Sequence, residues 1–84
     1  MNIEIFPNPT KDDFTLRFDN LKASPINVYL TDITGRRMMD VMSAKQLPIG
    51  KQMQQVDTDN LKAGIYFMVL EQEGERVVRK LIIQ

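Results

Sequence analysis

Apolar and polar residues alternate along most of this chain with a period of two, the repeat of a strand that buries one face. Ile3 and Ile5 keep it, then Phe14, Leu16 and Phe18, then Ile26, Val28 and Leu30. Turn-forming clusters interrupt the alternation at short intervals: Pro7-Asn8-Pro9, Asp19-Asn20, Ser24-Pro25, Thr34-Gly35, Pro48-Ile49-Gly50, Asp59-Asn60 with Gly64, and Glu73-Gly74. The gaps leave little room for helices. Seven strands are predicted, over residues 2–6, 14–18, 26–33, 36–42, 51–56, 65–71 and 75–83. The fourth is the least regular, because Met38, Met42 and Leu47 are spaced loosely enough to suit a helical turn. Residues 64–70 are apolar on both faces and Val77-Val78 breaks the alternation of the last segment, so strands six and seven are expected to be central and covered on both sides. The polar stretch Glu71-Gln72-Glu73-Gly74-Glu75 between them has the character of a hairpin loop, which makes the two antiparallel. Short strands so evenly punctuated match an all-β, immunoglobulin-like sandwich of about seven antiparallel strands.

A length of 84 residues fits one domain, 1–84, with a small core. The composition narrows its chemistry. With no His and no Cys, the chain lacks the usual metal ligands, the usual neutral-pH base and the best nucleophile. Neither enzyme activity nor a cofactor is expected. Eleven basic and eleven acidic residues are interspersed at zero net charge, so no long-range field draws the chain to nucleic acid. No apolar run approaches a membrane span and no basic-then-apolar leader opens the chain, so membrane insertion is not expected.

The individual motifs have structural explanations of their own. In Pro7-Asn8-Pro9-Thr10 each proline fixes its own φ and pushes the preceding residue toward extended geometry, which predicts a stiff corner after the first strand. Asp32 is placed to bond the backbone of the turn that follows it, and Gly35 to take the positive φ of a tight hairpin. Arg36-Arg37 is assigned to solvated surface, since adjacent strand residues point to opposite faces. Asp57-Thr58-Asp59-Asn60 offers oxygens at alternate positions, as the start of a calcium loop does. However, Lys62 and Met68 stand where such a loop needs Gly and an acid, so a loop held by Asx-type bonds is favoured over a weak calcium site. The acidic pairs Asp12-Asp13 and Glu71 with Glu73 sit in polar loops that keep carboxylates ionised. Phe14, Phe18, Tyr66 and Phe67 are expected in the core, with only Tyr29 facing outward. The six methionines are assigned to filling core gaps. The last strand, ending Lys80-Leu81-Ile82-Ile83-Gln84, closes the core through Leu81 and Ile83. If it lies at a sheet edge, another protein can capture it by strand addition.

Taken in order, these pieces resemble the C-terminal sorting domain, type A, of type IX secretion cargo. The stretch from Ile3 through Pro7-Asn8-Pro9 to Thr10 is similar to the family's opening strand and Pro-Asn-Pro motif, and the stretch from Val28 through Asp32 and Gly35 to Arg36 to its central motif. Leu61-Lys62-Ala63-Gly64-Ile65-Tyr66-Phe67-Met68-Val69 and Lys80–Gln84 resemble the last two. Phe6 stands where the family often has Tyr, which puts any hydrogen bond from that hydroxyl in doubt.

The resemblance implies a non-catalytic address label behind a larger N-terminal cargo domain. Its partners would be the outer-membrane translocon and a sortase-like surface protease that removes it, leaving the product secreted or on the cell surface. On that view the chain is the C-terminal fragment of an exported protein, Met1 is not a native start, and the inner-membrane export signal belongs to the precursor. Recognition would run through Lys80, Leu81, Ile82, Ile83 and Gln84, with Gly64 and Tyr66 fixing the neighbouring strand. A cell-surface module binding carbohydrate or another protein is the alternative. Oligomeric state, including pairing through an edge strand, is left open.

Overall fold

The computed structural model describes residues 2–84. Seven strands follow in order: β1 (Ile3–Phe6), β2 (Asp13–Asn20), β3 (Ile26–Thr31), β4 (Arg37–Lys45), β5 (Gly50–Asp57), β6 (Gly64–Gln72) and β7 (Glu75–Ile83). They form two antiparallel sheets, ordered β1-β2-β5 and β4-β3-β6-β7. The alternating residues identified above meet between them. Ile3, Phe14, Leu16, Phe18 and Val56 come from the first sheet, and Ile26, Val28, Leu30, Met42, Tyr66, Met68, Leu70, Leu81 and Ile83 from the second. This is the expected two-layer sandwich.

Several boundaries move, each for a visible reason. β2 runs beyond Phe18 because Asp19 and Asn20 continue its unbroken pairing with Lys51 and Gly50. β3 stops at Thr31 and not at 33, since the Asp32 side chain turns the chain and leaves Ile33 exposed. β4 starts at Arg37 and extends to Lys45, beyond the predicted end at 42. Its pairing with β3 shifts register three times and Ala44 takes a left-handed φ of 47°, which explains the lost periodicity. The β6–β7 hairpin turns on Glu73 and Gly74, both at positive φ, as a two-residue turn between twisted strands demands.

One expectation fails. β6 is central in its sheet but β7 is an edge strand, and neither is covered on both sides, since Ile65 is 44% and Val78 43% exposed on the outer face. The Val77-Val78 pair reflects Val77 packing against the core while Val78 lies beside Val69 on the opposite face. At the end of the sandwich carrying the β6–β7 turn, buried Asn20 and Gln72 tie loops together. The Asn20 amide donates to the carbonyls of Leu47 and Pro48, and the Gln72 amide to Asn20 Oδ1 and the carbonyls of Lys22 and Ser24. Buried polar side chains persist when bonded in this way.

Candidate functional site

The strand register carries the four motifs to one end of the sandwich, opposite the Asn20–Gln72 network. Phe6 lies opposite Thr15 near the start of β2, Thr31 opposite Phe67, Phe67 opposite Lys80, and Gly64 opposite Ile83. The Pro7–Pro9 corner, the Asp32 turn, the start of β6 and the end of β7 therefore cluster, although up to 74 residues separate their bonded partners.

Two of these segments are directly joined. Pro7 and Pro9 have no N–H to give, so this stretch cannot pair as an ordinary strand. The Asn8 side-chain amide takes the place of a peptide group: its Nδ2 donates to the Lys80 carbonyl at 2.8 Å, and its Oδ1 accepts the Ile82 N–H at 3.0 Å. Thr10 continues the seam with its backbone. Its N–H donates to Ile82 O at 2.9 Å, and its carbonyl accepts the Gln84 N–H at 2.7 Å. Thr10 is buried, with its hydroxyl donating to the Asp13 carbonyl. The corner thus leaves the first sheet and fastens the outer edge of β7 from Lys80 to Gln84. Both X-Pro bonds in it are cis. The edge position anticipated for strand capture is real, but its backbone groups here are already occupied.

Side chains rather than backbone are what this seam offers to solvent. Leu81 and Ile83 point into the core, whereas Lys80 and Gln84 are exposed and Ile82 is half-buried. Beside them on the outer face stand Ile65, opposite Ile82, and Phe67, opposite Lys80. Phe67 was expected in the core. It is instead half-buried on the outer face, one residue out of step with inward-facing Tyr66 and Met68. The Tyr66 hydroxyl donates to the Lys62 carbonyl at 2.6 Å, pinning the loop before β6, and its ring packs beside Leu81. A methyl group on Gly64 would meet only that ring, at 3.9 Å, so close approach is not what calls for glycine there.

The Asp32 turn closes on itself. Asp32 Oδ1 accepts from the N–H of Thr34 (2.9 Å), the Thr34 hydroxyl (2.6 Å) and the N–H of Arg36 (3.0 Å), while Gly35 sits at φ 90°. The Thr34 hydroxyl, and then the backbone donors, hold the carboxyl below its ordinary range. Arg37 corrects another expectation. It is not simply solvated, because its guanidinium lies 3.7 Å from the Tyr29 ring centroid and 3.5 Å from Asp40. Tyr29 does face outward, yet it is only 8% exposed beneath that lid. At Phe6 the guanidinium of Arg17 lies 5.3 Å from the ring centroid, a contact that needs no hydroxyl.

Chemistry beyond binding is sparse at this end. Asp57 Oδ1 accepts the Asp59 N–H at 2.9 Å, and Thr58 bonds the Asp12 carbonyl through both its N–H and its hydroxyl. This is the Asx-held loop favoured above. Asp57 raises the Asp59 carboxyl above its usual range, with burial and Asp12 adding to the effect. Among the described residues no group of three acids is arranged to hold a metal ion. Among the described residues Phe6, at 38%, is the only aromatic in the set of large exposed hydrophobic side chains, and these residues present no broad platform for stacking a sugar. Asn8, Thr10, Ile65 and Phe67 were not singled out as binding residues by sequence reasoning. Strict alternation from Tyr66 and Met68 would have placed Ile65 and Phe67 on the outer face, whereas the partners of Asn8 lie too far along the chain for any local signal.

The chain belongs to the secretion system C-terminal sorting domain family, whose model matches residues 4–84. It is a type IX secretion sorting domain, and domains of this family are in general non-catalytic. Such a signal implies export out of the cell or to its surface. Comparison with curated proteins found no match.

Proposed function

We propose that this sandwich is a non-catalytic label carried behind a cargo domain and read by the outer-membrane translocon of the type IX system, after which a surface protease removes it. The reading surface in this proposal is the outward row Lys80, Ile82 and Gln84 with Ile65 and Phe67 alongside. The supporting observation is the Asn8 seam. It ties the first family motif to the last and holds β7 rigid, so that its side chains stand in one fixed array. A preorganised array binds without the ordering entropy that a loose tail would lose. Leu81, Ile83 and Tyr66 act beneath it as support, and Gly64 pairs with Ile83 at its end.

The test is a reporter carrying an inner-membrane export signal fused to residues 1–84, produced in a type IX-competent cell. The fusion is expected outside the cell. Lys80→Glu combined with Ile65→Ser is expected to hold the reporter in the periplasm while the purified domain keeps its melting temperature within about 3 °C, as exposed substitutions do. Undiminished export of that variant would overturn the assignment of the reading surface. Failure of the unaltered fusion to leave the cell would overturn the function itself.

A further inference from the structure

Four strand edges bound the two sheets, and three of them are protected. β1 is four residues long and runs into the Pro7–Pro9 corner. β7 is fastened to residues 8–10 from Lys80 onward. β4 carries Arg37, Asp40 and Lys45, three register shifts and a left-handed Ala44. Charges, bulges and short length are the devices by which soluble sheets avoid joining.

β5 has none of them over most of its length. It pairs with β2 in unbroken register across eight residues, and its other edge pairs with no strand among the described residues. From Gln52 to Val56 it has no charge and no proline, and Met53 is 64% exposed.

We propose that this edge docks a second copy of the same chain, β5 against β5, antiparallel and centred on Gln54. The charges select both occupant and register. Lys51 and Asp57 are the only charged residues of β5, and they flank Gln54 at equal spacing on the same face. Pairing about a two-fold axis at Gln54 sets Lys51 of each copy opposite Asp57 of the other, and sets Met53 opposite Gln55. Shifting the register by one or two residues loses both ion pairs, and parallel in-register pairing would set Lys51 against Lys51. Within one chain Asp57 already faces Asp13, so an incoming Lys51 meets two carboxylates. The result is a continuous six-stranded sheet, β1-β2-β5 joined to its own copy, which leaves the seam at β7 uncovered.

An edge of this length buries less than the roughly 1,200 Å² of a standard interface, so the association is weak and appears only at high concentration. Sedimentation equilibrium of the wild-type chain up to about 1 mM is expected to show dimer, with concentration-dependent amide shifts confined to residues 50–57. Lys51→Asp alone and Asp57→Lys alone each set like charges opposite one another twice, and each is expected to weaken self-association by roughly tenfold or more. An equimolar mixture of the two restores complementary pairs and is expected to dimerise as the wild type does. Gln54→Lys, which sets two lysines face to face, covers the case in which either charge reversal disturbs folding, and it is expected to remain monomeric. A wild-type monomer at about 1 mM, shifts outside β5, single variants that associate normally, or a mixture that stays monomeric would each overturn the proposal.

Discussion

Two turns at the same end of the molecule use similar residues to opposite ends. The Asp32 turn is self-contained: one carboxylate oxygen gathers three donors from residues 34–36, and the loop would take this shape in almost any hairpin. The Asn8 corner bonds across the molecule to β7, 72 residues away at Lys80, and does so because its flanking prolines cannot. A local turn shapes the chain it sits in, whereas a remote one decides which strand edge remains available.

The largest disturbance comes from uprooting the strand that the corner grips. Leu81 is fully buried, so Leu81→Ala should cost about 2–5 kcal/mol in urea denaturation and loosen the seam with it. Breaking the corner alone is milder. Asn8→Ala removes two solvent-accessible hydrogen bonds, about 1–2 kcal/mol in all, and should speed hydrogen exchange at the Ile82 amide while leaving amides of the Asp32 turn unchanged. Equal effects at both places would erase the distinction between them.

The smallest effect is specific to pH. Thr34 and the turn backbone hold Asp32 below its ordinary 3.8, so the unfolded chain takes up this proton first. The stability contributed by Asp32 is complete above about 3.8 and is lost as pH falls through the lower folded value. Urea midpoints of the wild type and Asp32→Asn should therefore converge as the solution is acidified below 3.8. A constant gap would show that the charge on Asp32 contributes nothing to the turn.

The same contrast explains what could be seen in the sequence. The number and type of strands follow from alternation, and the Asp32–Gly35 and Glu73-Gly74 turns from local backbone chemistry, all within a few residues. The sheet order does not. Val77-Val78 looks doubly buried until β7 is known to be an edge, and Phe67 looks like core until Met68 and Leu70 are seen to take the inward positions. Arg37 passes for a solvated charge because Tyr29, its partner, lies on the neighbouring strand. Within the candidate site, Gly64 and Tyr66 stand beside Ile83 and Leu81, as the hairpin between strands six and seven predicts. The role of Asn8 depends on a contact that no short stretch encodes.

The seam also sets an order of events. Synthesis delivers Asn8 long before Lys80, so the corner has nothing to hold until the final strand emerges. A chain lacking residues 80–84 leaves the amide of Asn8 and the backbone of Thr10 in water, and the segment after β1 loses its hold on the second sheet. The opening corner of the sandwich is locked by its closing strand, and the domain reaches its finished shape only once residues 80–84 are in place.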